Sequence, residues 1–405
     1  MTGDRPALTP CKYHRGTGIP WQHLRGRSHQ ALFAKSHPSH RLEWYCRQGC
    51  MRKTTMLTLR TIDAVFDRRW DDFVSRHPSG VIYHRSAWAQ VIAATYGHTP
   101  LYIALEETRT GELAGAAPFF IVKSPLTGER VVSPPFATFC DPLVPPSGTA
   151  DMAAFIFDRV PTARHIKMKL LDFKLDAPSE VLVSSSYVTH FIDLRPGLDE
   201  LFNAFHVSSV RQRIRRAERN GITFRWGQSE ADLRGFYRLH KGVRQRHGLP
   251  PQPYAFFKNM WIILGAAGLL NLGVVEHEGK LVAGSIVLKS GHTYHHEYSA
   301  SEEASWKLCS NQKLLWEIIK TAHADGARYM DLGRSEMSNV SLIEYKERWQ
   351  GKRLHLSYCT LPAPSVVANE RNGSGLLKRS MEFLNRRMPG RLLEWEGRLI
   401  YPHRD

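Results

Sequence analysis

The chain has 405 residues, more than one hydrophobic core ordinarily serves, so two domains are expected. With 42% hydrophobic and 23% charged residues it has a globular composition, which excludes a largely disordered chain. The formal charge of +17 favours a polyanionic partner such as RNA, a nucleotide-linked substrate or an anionic membrane face. Six cysteines without a CxxC pair argue against a disulfide framework. The N-terminus has no apolar core of signal-peptide length, and the longest charge-free run, Asn259 to Val275, is too short for a comfortable membrane span. A buried helix followed by a strand accounts for that run, and a cytoplasmic protein is expected.

Residues 1–55 mix Pro, Gly, His and Arg without a sustained period, and read as a disordered or extraneous extension. Cys46 and Cys50 fit no standard zinc spacing. Order is expected from Leu57 to Ile62, which alternates like a strand. Asp67 to Arg76 carries Trp70, Phe73 and Val74 at helical spacing, and Ser86 is placed to cap a second helix through Trp88, Val91 and Ile92. Leu101–Leu105 and Leu113–Val122 read as strands joined by a turn at Thr110-Gly111. The Pro- and Gly-rich segment 125–146 is expected to wrap the sheet edge. A helix at Asp151–Val160 and a strand at His165–Phe173 follow.

Ser208 to Arg219 is a basic helix ending at Asn220-Gly221, with Arg211, Arg215 and Arg219 on one face. It is either a phosphate clamp or a solvated face. Leu281–Ser290 and Tyr294–Tyr298 read as a hairpin, Trp306–Ala324 as a helix, and Tyr329–Arg334 as a short strand running into a glycine loop. Glu344–Trp349 then gathers charged and aromatic groups. Beyond a linker from Leu361 to Gly375, Leu377, Met381, Leu384 and Met388 form an apolar stripe beside arginines. Such a helix packs on the body of the protein or lies on an anionic bilayer.

The segment from Leu101 to Ser124 repeats from Leu270 to Ser290: a strand, a tight Gly turn and a second strand with a glycine inside it. Each copy follows two helical segments, at 67–94 and 229–265. Two related α/β units result, the first at 56–195 and the second at 196–362, with a linker and a basic amphipathic helix at 363–405. No GxSxG elbow, P-loop or dinucleotide-binding glycine motif is present, and the adjacent His295 and His296 are a poor chelating pair on a strand.

Ser208–Gly221, Tyr298–Ser301 with Trp306, Ser310-Asn311, Tyr329–Ser335 and Glu344–Gly351 together resemble the FemAB-type enzymes, which are tandem GNAT-fold aminoacyl- and acyltransferases. The resemblance runs over residues 57–360. It is strongest to the FemAB-related proteins of Gram-negative exopolysaccharide and exosortase (PEP-CTERM) systems. It implies an α/β fold of two GNAT-like domains, each a mixed twisted sheet flanked by helices, with the second domain catalytic. It implies transfer of an aminoacyl or acyl group to an amine of a cell-envelope precursor or polysaccharide component. The pyrophosphate-cradling R/Q-x-x-G-x-G/A loop of acetyl-CoA-using members is missing before Ser310-Asn311. Aminoacyl-tRNA is therefore the expected donor, with acyl-CoA the alternative and no tightly bound cofactor. A non-catalytic scaffold of the same fold is a further reading. Lys346 matches the family's lysine, implying a role toward phosphate or developing negative charge, although Gln350 alters the spacing. Asp331 and Glu336 are candidate bases. Arg334 binds a ligand or pairs with Asp331, and Lys346 could instead pair with Glu344 or Glu347. Tyr298 and Trp306 stack on substrate or pack in the core. Arg211, Arg215, Ser310, Asn311, Tyr345 and Arg348 complete the expected substrate-binding set, with tRNA and an anionic precursor as partners and the inner face of the cytoplasmic membrane as the alternative to a free cytoplasmic location.

Overall fold

In the computed structural model, which describes residues 41–44, 55–125, 127–173, 181–363 and 384–404, the two repeated hairpins occupy equivalent places in one sheet. The chain enters through β1 (Arg41–Trp44) and β2 (Thr55–Ile62), followed by helices α1 (Arg68–Arg76) and α2 (Ser86–Tyr96). Strands β3 (Thr99–Glu107) and β4 (Leu113–Ser124) form the first hairpin. Strand β5 (Gly128–Val132), α3 (Thr149–Arg159) and β6 (His165–Leu170) come next. Strand β7 (Leu182–Asp193), α4 (Leu198–Ala204), α5 (Gln212–Arg219) and β8 (Thr223–Trp226) lead into the second half. There α6 (Glu230–Arg246) and α7 (Tyr254–Ala266) precede β9 (Leu270–His277), β10 (Lys280–Ser290), β11 (Thr293–Ser301), α8 (Ser310–Ala324) and β12 (Tyr329–Asp331). Strand β13 (Ser335–Glu336), α9 (Val340–Glu347), β14 (Lys352–Pro362) and α10 (Gly390–Ile400) finish the described chain.

The repeat is therefore larger than a hairpin. Each half runs helix–helix, three antiparallel strands, a helix, and a strand parallel to the third. The order β3-β4-β5-β6 in one half matches β9-β10-β11-β12 in the other. Both hairpins also carry a bulge next to their turns, at Ala114 and at Val282. The turns rest on Gly111 and Gly279, whose φ of +72° and +73° would strain any residue with a Cβ.

The segment expected to wrap the edge instead supplies β5, which sits between β4 and β6 inside the sheet. Ser86 opens α2 rather than capping it. The Asp71 carboxylate of α1 takes the cap position, accepting from Ser86 N and Oγ at 3.0 and 2.6 Å. The helix expected from Trp306 is broken at Cys309, whose φ is +63°, so Trp306 lies in a 3-10 turn ahead of α8.

Between the halves, β14 pairs with β6 and β7 pairs with β12, while β7 and β14 pair with each other. Each half is thus closed by a strand from the other half's stretch of chain, and the sheet runs unbroken across 195/196. One face carries a core shared by both halves, including Trp70, Trp88, Phe236, Phe256 and Met260. On the other face the helices α5 and α8 cover the second half and α3 the first. Helix α10 docks on α6 through the Lys241–Glu394 ion pair. The stripe residues Leu377 and Met381 and most of the linker lie outside the described residues. Among the described residues no helix is long and apolar enough to cross a membrane.

Candidate active site

The parallel pairing of β11 with β12 stops at His295 opposite Asp331. Beyond it the chain after β12 turns away through Gly333, with φ +71°, to pair β13 with β7. On its other side β11 slips register against β10: Val287 faces His296 and Ile286 faces Tyr298, which leaves Glu297 as the extra residue of a bulge. A bulge re-aims its side chain and leaves local backbone groups unpaired. Glu297 therefore stands in the opening between the two parallel strands.

Two cavities meet there. A smaller one of about 340 Å³ is lined by Thr138, Lys169, His240, Arg244, Glu297, Tyr298 and Arg334. A larger one of about 550 Å³ is lined by Arg246, His296, Glu297, Trp306, Asn311, Arg334, Tyr345 and Lys346. Glu297 and Arg334 belong to both.

Glu297 accepts a 2.6 Å hydrogen bond from Tyr83 Oη of the first half. Burial pushes its carboxyl up to about 7, and the nearby Asp331 charge adds to this. Tyr83, His295 and Arg334 pull the other way. Asp331 is fully buried and accepts from Thr189 Oγ1 (2.6 Å), Gly333 N (2.9 Å) and His295 Nδ1 (3.0 Å). Burial would raise its carboxyl, but the bonds from His295, Thr189 and Gly333 outweigh it and hold it below the ordinary value. Asp331 thus fixes the His295 ring and the Gly333 turn, with its oxygens occupied.

Lys346 is 6% exposed and donates to the Gly333 carbonyl at 2.6 Å. It does not pair with Glu344 or Glu347, which bind Arg348 and Arg353. Burial lowers its ammonium to about 8, against the attraction of Asp331 and Glu297. Arg334 bonds Tyr358 Oη at 2.7 Å and lies 4.9 Å over the Tyr187 ring rather than pairing with Asp331.

Trp306 is half exposed on the wall of the larger cavity, its Nε1 donating to Ser301 Oγ at 2.9 Å and the Arg246 guanidinium 5.4 Å above its ring. Tyr298 packs against Phe257 with ring centroids 5.3 Å apart, while its other side lines the smaller cavity. Asn311 lines the larger cavity. Ser310 is buried at the start of α8, its hydroxyl 2.9 Å from that of Ser305. Glu336 is exposed on β13 and lines neither cavity. Arg211 and Arg348 line a third cavity of about 620 Å³ that shares no residue with the other two. Arg215 lies 5.6 Å over the Phe202 ring.

Sequence reasoning passed over Glu297, Tyr83, Lys169, Arg244 and Arg246. Only an acid in an otherwise aromatic and histidine-rich strand hinted at Glu297. His295 turns to Asp331 while His296 lines the larger cavity, its ring neutralised by burial and the Lys346 charge, with its pKa lowered to about 4. Among the described residues no group of three His, Cys, Asp or Glu could hold a metal ion.

Two halves that each end in a parallel strand pair, one pair opening beside a bulge, define a tandem protein of the GNAT acyltransferase fold. The acetyltransferase (GNAT) domain family matches residues 204–347. Over 161 residues the chain is 28% identical to the UDP-N-acetylmuramoylpentapeptide-lysine N(6)-alanyltransferase of Weissella viridescens, a match covering 39% of this chain and 46% of that enzyme. The chain thus matches about half the length of this curated relative. The crystal structure of FemX superposes with a TM-score of 0.60 at 17% identity, covering 72% of this chain and 95% of FemX. The C-terminal domain of a putative lysylphosphatidylglycerol synthetase from Agrobacterium fabrum follows at 0.51 and 15% identity, covering 75% and 93%. The protein is Fem-like in fold.

Proposed function

We propose that the protein is a Fem-type N-acyltransferase that moves an aminoacyl group onto an amine of a cell-envelope precursor. The observation that carries this reading is the meeting of two cavities at Glu297, in the opening between β11 and β12. The larger cavity suits the donor: Trp306 offers a stacking face, and Arg246 and the N-terminal turn of α8 offer positive potential for phosphate. The smaller cavity, with Lys169, Arg244 and Arg334, suits an anionic precursor.

Glu297 takes a proton from the acceptor ammonium, and the freed amine attacks the donor carbonyl carbon. The new C–N bond forms as the ester C–O bond breaks, and the departing hydroxyl receives a proton. A carboxyl with pKa near 7 is matched to that task at neutral pH. Lys346 steadies the Gly333 turn and places a positive charge beside the developing oxyanion. Aminoacyl-tRNA is the preferred donor because the turn from Glu303 to Leu308, with Trp306 in it, stands where a glycine loop would cradle the CoA pyrophosphate. The basic helix α5 gives tRNA a second contact. Acyl-CoA is the second reading, favoured by the acetyltransferase match. The reaction is assigned to the cytoplasm at the inner membrane face, with a polysaccharide component as the alternative acceptor.

The test is a donor screen of labelled aminoacyl-tRNAs against acyl-CoAs with a mixed amine acceptor pool. Label should pass from aminoacyl-tRNA to an amine with the natural protein. It should not do so with Glu297→Gln. Transfer from acyl-CoA alone replaces the first donor with the second, and no transfer from any donor removes the enzymatic reading.

A further inference from the structure

Helix α10 is held firmly on one side and bare on the other. Leu393 and Gly397 face the body. A Cβ on Gly397 would fall 2.2 Å from the Pro251 carbonyl, so the helix backbone presses directly on the loop after α6. Tyr401, just past the helix, donates to the Pro250 carbonyl at 3.0 Å and accepts from Arg244 at 2.9 Å. These contacts fix the orientation of α10 and seat it beside the smaller cavity, which Arg244 lines.

The outer face is apolar and basic. Leu392, Trp395 and Leu399 stand at i, i+3 and i+7 on it, each half or more exposed, and Leu384 is exposed in the helical residues 384–387 that precede it. Arg391 and Arg398 are exposed alongside, a helical repeat apart, and Arg386 and Arg387 are exposed just before the helix. The two glutamates of α10 are engaged elsewhere, Glu394 by Lys241 and Glu396 by Asn385. An apolar stripe containing a tryptophan, with arginines beside it and its carboxylates engaged, matches the boundary between lipid headgroups and acyl chains. It suits an anionic surface in particular.

We propose that this face of α10 seats the protein on an anionic bilayer, with Leu392, Trp395 and Leu399 at the acyl boundary and Arg391 and Arg398 on lipid phosphate. The smaller cavity then opens close to the membrane, where a lipid-attached acceptor could reach it. The surface stands whatever the transfer chemistry proves to be.

The full-length protein, without substrates, is sedimented with vesicles of phosphatidylcholine alone and of phosphatidylcholine with phosphatidylglycerol. Binding should require phosphatidylglycerol and fall with added salt. Leu392→Ser with Trp395→Ser, and separately Arg391→Glu with Arg398→Glu, should each weaken it about ten-fold or more, with melting temperatures unchanged. The idea is overturned if the natural protein ignores anionic vesicles or if both double variants bind as well as it does. A dimer in solution that Leu392→Ser with Trp395→Ser dissociates, without vesicle binding, would make the face a contact between copies and equally overturn it.

Discussion

Tyr83 and Glu297 lie 214 residues apart, yet the tyrosine hydroxyl donates to the carboxylate at 2.6 Å. Tyr83 sits in the short turn before α2 of the first half, fully buried, and Glu297 is the bulge residue of β11 in the second. The bond favours the ionised carboxylate, so it restrains a pKa that burial pushes up. Tyr83→Phe should therefore move the acid limb of the pH–rate profile to higher pH, by up to about one unit. It should also cost about 1 kcal/mol of stability. An unmoved acid limb would separate Tyr83 from the titration of Glu297.

Glu297→Gln should reduce kcat by about a hundred-fold to a thousand-fold, the usual span for a lost general base. The natural enzyme should show a bell-shaped profile. Its rate rises as the Glu297 carboxyl ionises near pH 7 and falls as the Lys346 ammonium loses its proton near pH 8. The glutamine variant should keep the alkaline limb and lose the acid one. Profiles of the two proteins, measured with saturating donor, decide the matter.

Lys346 is held at a cost to the fold. Its ammonium falls from an ordinary 10.5 to about 8, so the folded state disfavours the charged form. The cost is absent above the unfolded value of 10.5, where the lysine is neutral in both states, and it builds as pH falls from there to the folded value of about 8, below which it is complete. At pH 7 the full cost of about 3 kcal/mol is present. Lys346→Met removes it while leaving the Gly333 carbonyl without its donor, a loss of about 1 kcal/mol. Denaturant titration at pH 7 should show a variant about 1–2 kcal/mol more stable and without transfer activity. A less stable variant would mean that the bond to Gly333 outweighs the buried charge.

Trp306 has little to do for the fold, being half exposed in a short turn. Trp306→Ala should raise the donor KM about ten-fold through lost stacking and leave kcat within about two-fold. A matching fall in kcat would place Trp306 nearer the reacting atoms than the cavity wall suggests.

Much of the framework is legible in the chain itself. The glycine turns at Gly111 and Gly279 and the alternating strands around them reveal the repeat, because turn chemistry and side-chain alternation are local properties. Gly221 ends the basic helix in the left-handed region, as the Asn220-Gly221 pair predicts. Asp331, Lys346, Trp306 and Asn311 stand out in the sequence through the segments that resemble the FemAB-type enzymes. Strand β7 was silent: its first half is serine-rich and exposed, and it gains its place at the sheet centre from β12 and β14. Local periodicity carries no information about such partners.

The sequence by itself outlined the repeated hairpins and most of their helices, and it led to the expectation of a charged site between Asp331 and Trp349. Tertiary structure decided the rest. The exchange of β7 and β14, the slip that turns Glu297 into the opening, and the reach of Tyr83 across the halves all depend on pairings between distant residues. So does the bare face of α10, since a leucine stripe in sequence does not say which side the protein body covers. An acid on a strand is unremarkable in sequence. It becomes a candidate base only when long-range packing strips away its water and sets a tyrosine hydroxyl against it.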